Sequence, residues 1–297
     1  MSPNHGAERI LVVGADSLIG AALTAFLRQM GADVTGTTRR KHTVSSNCLF
    51  LDLASEETLH VVEGHYACAF LCAAITAMSA CEREPDRTYR VNVTNTVRLS
   101  KRIHVTGTRI VFLSSNTVFN GESARPDENA DYCTCTEYGR QKAAAEQELM
   151  GSTGDAGSVA IARLSKVLSP DSGVAAEFMG KLEDGEPCRA FDDLLMSPIS
   201  LAYAVDVLAK LAFSKLSGIF HLSGAEEMSY AEFARRLAVH MGVDPALVRP
   251  CRSTDAGAKP LFRPEHPALG MKRTSRLLGI EPEPTAHLLN MLVRRKA

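Results

Sequence analysis

Short apolar runs alternate with helix-periodic segments through the first 165 residues, and few architectures accommodate that rhythm. Residues 9–13, 33–37, 48–51, 67–72, 109–113 and 158–164 read as strands. Between the first two, Leu18, Ile19, Ala22, Leu23, Phe26 and Leu27 recur at helical spacing across 18–29, and longer helical patterns cover 86–104 and 137–150. Buried strands alternating with helices predict βαβ units, so the expected class is α/β, a doubly wound parallel sheet of the Rossmann type. After about residue 165 the rhythm breaks at Ser169-Pro170, Gly185-Glu186-Pro187 and Ser197-Pro198. A helix over 201–213 and a strand over 218–222 are expected to rejoin the sheet. A helix over 229–241 then precedes a loop-rich tail with seven prolines beyond residue 244. The spacing leaves the isomer of the Ser197–Pro198 bond open.

The first strand runs into LVVGADSLIG at residues 11–20. Gly14 at the strand end permits a tight turn, Gly20 on the first helical turns permits close helix–strand packing, and the helix N-terminus presents free N–H groups to a pyrophosphate. Ser17 stands between the glycines, where its hydroxyl suits either a helix cap or a phosphate contact. Leu18 and Ile19 complete the predicted phosphate turn. This loop assigns residues 1–165, with 199–222 rejoining, to a dinucleotide-binding domain. Residues 166–198 and 223–297 are left as a smaller substrate-binding domain.

An NAD-preferring site of this architecture carries an acid at the end of the second strand, for the ribose 2′-hydroxyl. Here the sequence is Thr37-Thr38-Arg39-Arg40-Lys41, with no acid between Val34 and Asn47. An arginine suits a 2′-phosphate, so Arg39 and Arg40 favour NADP(H) over NAD(H), with Arg40 a candidate to stack on adenine. Asp52, followed by Leu53, ends the third strand. It is placed either to accept from an adenine amino group or to cap a helix over 55–62.

YGRQK at 138–142 sets Tyr138 and Lys142 four residues apart, on one helix face. A free tyrosine titrates near ~10, and a neighbouring ammonium favours phenolate, which is expected to bring Tyr138 down toward useful acid–base chemistry. Ser115 lies just past the fifth strand, at the sheet edge where ligands bind.

The glycine loop, the Ser115 strand end and YGRQK, in that order, resemble the extended short-chain dehydrogenase/reductase family. Within it, LCAAITAMSACEREPDRTYRVNVTNT (71–96), LSSNTVFNGES (113–123) and TEYGRQKAAAEQE (136–148) are similar to the dTDP-4-dehydrorhamnose reductase type of nucleotide-sugar reductase. The resemblance covers nearly the whole chain. It implies Tyr138 as proton donor, Lys142 as the residue that holds the nicotinamide ribose, and Ser115 as the group that holds the substrate carbonyl. It also implies cofactor contacts from Ala73 and Ala74, support from Asn92, and substrate contacts from Thr76 and Phe119. The chain departs from that pattern at Ser17, Cys72, Ser79, Asn116 and Thr117. Asn116-Thr117 replaces the acid pair of the sugar 4,6-dehydratases, which argues against dehydration. The expected activity is reduction of a keto-sugar nucleotide with NADPH. An NAD-dependent epimerase and a non-catalytic NADP-binding subunit are the alternatives.

The 33 basic and 34 acidic residues leave a net charge of -1, which argues against a diffuse basic surface for nucleic acid. Eight cysteines, without a C-x-x-C pair, read as small core residues of a reduced, cytoplasmic protein. None of the nine histidines is expected to pair with an acid, cysteine or histidine at a ligand spacing, so no metal is expected. Residues 1–8 are polar, the longest apolar stretch (67–75) is too short to span a bilayer, and the RRK run at 294–296 reads as a solvated tail. The expected partners are a nucleotide-sugar substrate and a second copy of the chain as a homodimer.

Overall fold

A computed structural model describes residues 8–152 and 158–293. The RRK run and all but residue 8 of the polar start lie outside the described residues. Seven strands form one sheet: β1 (Arg9–Val13), β2 (Asp33–Thr38), β3 (Cys48–Phe50), β4 (Cys68–Leu71), β5 (Arg109–Ser115), β6 (Val159–Leu164) and β11 (Gly218–Leu222). Their order is β3-β2-β1-β4-β5-β6-β11. The pairs β1/β2, β1/β4, β2/β3 and β4/β5 are parallel, with Leu11 opposite Thr35 on one side and Ala69 on the other. The chain winds outward from β1 in one direction and then from β4 in the other. The switch point therefore lies between β1 and β4, and the strand ends there are the expected ligand edge of such a sheet. Gly14, Ala73 and Ala74 follow those ends, and Ser115 is the last residue of the neighbouring β5.

β4 and β6 are buried along their whole length, which explains apolar runs that do not alternate. Helix α1 (Leu18–Gln29) starts where Ser17 caps it and stops where Gly31 takes a positive φ of 86°. The segment 86–104, expected as one helix, is instead α3 (Pro85–Tyr89), a π-helical turn (Arg90–Asn95) and α4 (Thr96–His104), preceded by α2 (Met78–Arg83). Pro85 fixes the first helical position of α3, and the wide turn places Asn92 for a bond outside the helix. Leu11, Leu71, Leu99, Phe112, Leu149 and Ile161 join one core made by β1, β4, β5, β6, α4 and α5 (Glu137–Ser152).

The chain divides into two compact units. The first comprises residues up to Val118, Tyr132–Arg163 and Val205–Phe220; the second comprises Phe119–Asp131, Leu164–Ala204 and residues from His221 onward. The sequence division put 119–131 with the first. Its contacts explain the difference: Gly121 packs against Pro264, Arg125 donates to the Ala225 carbonyl at 2.7 Å, and Glu128 accepts from the Thr274 amide at 3.1 Å.

The second unit has its own core, in which Phe178, Leu182, Phe233, Leu237, Leu288 and Leu292 are buried. These lie on α6 (Gly173–Glu183), α8 (Tyr230–Met241) and α10 (Thr285–Val293). Three two-stranded pairs accompany them: β7 (Lys166–Leu168) with β10 (Pro198–Ser200), β8 (Cys188–Phe191) with β13 (Val248–Cys251), and β9 (Leu195–Met196) with β12 (Met228–Ser229). Helix α7 (Leu201–Phe213) follows β10, in agreement with the helical pattern at 201–213. The proline-rich tail is more ordered than expected, carrying β13, α9 (Lys272–Leu278) and α10. Its prolines largely flank these elements, as Pro284 does immediately before α10, and so do not break them. Among the described residues there is no cis peptide bond and no helix long and apolar enough to cross a membrane.

Two expectations about individual side chains need correction. His287 Nδ1 lies 2.6 Å from Glu283 four residues away on the chain, and His266 lies 3.3 Å from Glu227, so histidines do pair with acids. Cys133 and Cys135 are exposed, whereas Cys68, Cys81 and Cys188 are buried as small core residues should be.

Candidate active site

Gly14 has φ +83°, and a Cβ there would come within 2.8 Å of Ala73. Both the turn and the approach of the β4 loop therefore require glycine. Its amide donates to the Thr37 hydroxyl at 3.1 Å, which ties the end of β1 to β2. The Ser17 hydroxyl donates to the Gly14 carbonyl at 2.7 Å and accepts from the Gly20 amide at 3.1 Å, so it serves as the helix cap. Gly20 packs on the Gly14 carbonyl so closely that a side chain would displace α1.

A groove in the first unit is lined by Gly14, Asp16, Ser17, Thr37 to Arg40, Leu51 to Ala54, Ala73 to Ile75, Arg87 and Val91. Of the residues expected to hold a cofactor, it brings together Gly14, Ser17, Arg39, Arg40, Asp52, Leu53, Ala73 and Ala74. Leu18, Ile19 and Gly20 lie on the first turn of α1, Asn92 lies behind the β4 loop, and Tyr138 and Lys142 lie on α5; none of these six lines it. Asp52 Oδ1 accepts from the Ala54 amide at 2.9 Å, a tight local turn, and does not cap the 3₁₀ segment at Glu56–Val61.

Sequence reasoning missed Asp16. Its Oδ2 accepts from the Thr38 hydroxyl at 3.0 Å and pairs with Arg40 Nε at 3.3 Å. A carboxylate thus stands at the end of β2 after all, brought there from the glycine loop. Arg39 remains exposed beside it.

In α5, Tyr138 and Lys142 are both buried, at 8% and 4% exposure. Lys142 Nζ donates to the Leu113 carbonyl at 2.7 Å and lies 5.8 Å from the centre of the Tyr138 ring. Gly139 fixes how α5 enters the site: a Cβ there would fall 2.2 Å from the Thr117 carbonyl, and its amide donates to Thr136 Oγ1 at 3.0 Å. That contact holds the first turn of α5 against the segment following Ser115. Ser115 Oγ accepts from the Thr117 amide at 3.2 Å. Burial brings Lys142 down to about 8, opposed chiefly by the Glu146 carboxylate. Burial pushes the Tyr138 phenol above its ordinary value, contrary to the expected lowering by Lys142. The tyrosine is therefore held protonated, the form a proton donor needs.

Asn92 holds the β4 loop at both atoms of its amide: Oδ1 accepts from the Ile75 amide at 2.8 Å, and Nδ2 donates to the Ile75 carbonyl at 3.0 Å. The same Nδ2 donates to Gln141 Oε1 on α5 at 2.8 Å. Gln141, between Tyr138 and Lys142 in sequence, is a second residue not singled out beforehand. Thr76 is exposed one residue after this anchored loop. Phe119 falls in the second unit, where it meets His221 edge-on with ring centres 6.1 Å apart.

Residues 8–296 match the model of the RmlD substrate binding domain family. The chain belongs to that family. A dTDP-4-dehydrorhamnose reductase of Streptomyces griseus is 29% identical over 289 residues, covering 95% of this chain and 91% of that protein. The spore coat polysaccharide biosynthesis protein SpsK of Bacillus subtilis is 28% identical over 246 residues, covering 81% and 82%. Among solved structures, dTDP-4-dehydrorhamnose reductase from Bacillus anthracis in complex with NADP superposes with a TM-score of 0.84 at 22% identity, covering 97% of this chain and 99% of that one.

Proposed function

We propose that this protein is an NADPH-dependent reductase of a keto-sugar nucleotide of the 4-keto-6-deoxy type. The observation that carries the reading is the buried Tyr138–Lys142 pair on α5, its ammonium bonded to the Leu113 carbonyl two residues before Ser115, in the unit whose first loop lines a groove. Gly14 leaves a cradle that any side chain would fill, and Arg39 offers a guanidinium for a 2′-phosphate, so the residues fit NADP(H). When bound, the dihydronicotinamide supplies the hydride. Tyr138, held protonated by burial, donates the proton to the carbonyl oxygen. Ser115 donates a hydrogen bond to the same oxygen as charge develops on it. Lys142 remains cationic below about pH 8, holds the nicotinamide ribose, and stabilises the phenolate left after proton transfer. Asn92 and Gln141 keep the β4 loop and α5 in register. The second unit, with Phe119, is the proposed sugar-nucleotide side of the protein. The reductase names of the Streptomyces and Bacillus relatives support the substrate class.

The test is consumption of NADPH with a panel of dTDP- and UDP-linked 4-keto sugars. Turnover of at least one 4-keto-6-deoxy substrate is expected. Isomerisation of a nucleotide sugar without net NADPH consumption would favour the epimerase reading instead.

A further inference from the structure

Three residues on one face of α5 fall at successive turns: Tyr138, Lys142 and Glu146. The last is a fully buried carboxylate, 0% exposed, and the proposed chemistry does not use it. Its surroundings are built around it. Arg163 on β6, 1% exposed, donates from Nε at 3.0 and 3.1 Å and from Nη2 at 2.7 Å. Ser114 on β5 donates its hydroxyl to Oε1. The Tyr132 hydroxyl donates to Oε2 at 3.0 Å, and the Tyr132 ring lies 5.0 Å from the Arg163 guanidinium carbon.

A buried ion pair is weak grounds for stability, because desolvating two charges offsets their attraction. Position is more informative. Ser114 lies between Leu113, whose carbonyl takes the Lys142 ammonium, and Ser115, the proposed carbonyl-holding hydroxyl. We propose that Glu146 is a positioning residue of the reaction: clamped by Arg163, Ser114 and Tyr132, it fixes α5 on β5 and supplies the negative charge that keeps Lys142 cationic beside Tyr138. The groups facing Lys142 leave it that task. Tyr138 and Glu146 lie on its own helix, Cys72 follows β4, Cys81 lies on α2, and β5 offers the Leu113 carbonyl and the Phe112 ring 4.5 Å away. Burial holds the Cys72 thiol up at about 12 and raises Cys81 as well, so neither is anionic near neutrality. Glu146 is then the one carboxylate among them.

The inference rests on the Tyr138–Lys142 reading, and its test reads Lys142 directly. Protein labelled with ¹³C at lysine Cε is titrated by NMR, with the Lys142 signal assigned from its loss in Lys142→Arg. In the wild type the signal should titrate near 8. Glu146→Gln removes the negative charge and leaves Arg163 uncompensated, so the midpoint should fall by ~1 pH unit. Arg163→Met leaves Glu146 a buried carboxylate without its counter-ion, which takes up a proton and loses its charge, so the midpoint should fall here as well. The alkaline limb of kcat should move the same way in each variant. A merely structural pair would give losses of activity with the midpoint unmoved in Glu146→Gln and in Arg163→Met, and that result overturns the proposal. Glu146→Asp keeps the charge and should retain the wild-type midpoint. If Glu146→Gln does not fold, an unmoved midpoint in Arg163→Met, or a fallen one in Glu146→Asp, overturns it equally. Near-normal turnover in Lys142→Ala would sink the underlying reading while leaving the titration of Lys142 in the other variants intact.

Discussion

Under the proposed reading cofactor choice turns on Arg39 and Asp16, which line one groove, and substituting Asp16 tests this. The Asp16 carboxylate sits 3.3 Å from Arg40 Nε, with 24% of its side chain exposed against 58% for Arg40. An ion pair so open to solvent contributes only ~0.2–1 kcal/mol to stability, so Asp16→Asn should fold normally. Its effect on ligands is larger. Two unit charges on the order of 7 Å apart interact by ~0.6 kcal/mol at the dielectric of water. A phosphate monoester carries nearly ~2 charges, and salt screening removes part of the sum. Removing the carboxylate should therefore favour NADPH by ~1 kcal/mol, about fivefold in Kd. It also releases Arg40 to join Arg39. NADH, which has no 2′-phosphate, should gain nothing and should weaken where Asp16 accepts its ribose hydroxyl. Arg39→Ala should act in the opposite sense, weakening NADPH by ~1.5–3 kcal/mol while sparing NADH. Fluorescence titration of both reduced cofactors against the three proteins measures this. Equal changes for NADPH and NADH would refute the reasoning. So would weaker NADPH binding in Asp16→Asn, which would make Asp16 a support for Arg40 in phosphate binding.

Gly139→Val should displace α5, because its Cβ would fall 2.2 Å from the Thr117 carbonyl; loss of the cooperative unfolding transition, or a fall in Tm of many degrees, checks this. Turnover at saturating cofactor should decline as pH rises through about 8, because a lysine loses its charge above its pKa, and Lys142→Arg should remove that limb whatever its absolute rate. Thiol reagents on the folded protein should modify Cys133 and Cys135 first and leave Cys68 and Cys72 untouched, since burial holds both of the latter at about 12; peptide mapping reads the order.

The sheet was legible because its strands are short apolar runs separated by helical periods, and that pattern survives without any knowledge of contacts. The glycine turn at 14–20 and the shared face of Tyr138 and Lys142 were legible for the same reason: each is local, spelled within seven residues or fewer. What escaped was non-local. Asp16 reaches the end of β2 only after folding, so a search for an acid downstream of Val34 could not find it. Glu146 reads as one polar residue in AAAEQE until Arg163 closes over it. The wide turn at Arg90–Asn95 serves a bond from Asn92 to Ile75, and no periodicity announces a bond 17 residues away. Residues 119–131 follow β5 closely in sequence yet pack with the second unit through Pro264, Ala225 and Thr274. The acid–base expectation for Tyr138 failed because burial, which disfavours the phenolate, dominates here.

The central claim is that the Tyr138 hydroxyl delivers the proton in an NADPH-dependent carbonyl reduction. Its most direct test is the steady-state rate of NADPH oxidation by the wild type and Tyr138→Phe, on a 4-keto-6-deoxy nucleotide sugar, with NADPH affinity measured separately. The substitution keeps the ring and its packing and removes only the hydroxyl. General acid catalysis contributes ~10²–10⁴-fold, so kcat should fall on that scale with the NADPH Kd nearly unchanged. Turnover by Tyr138→Phe within a few-fold of the wild type would contradict the account, because the proton would then come from another group.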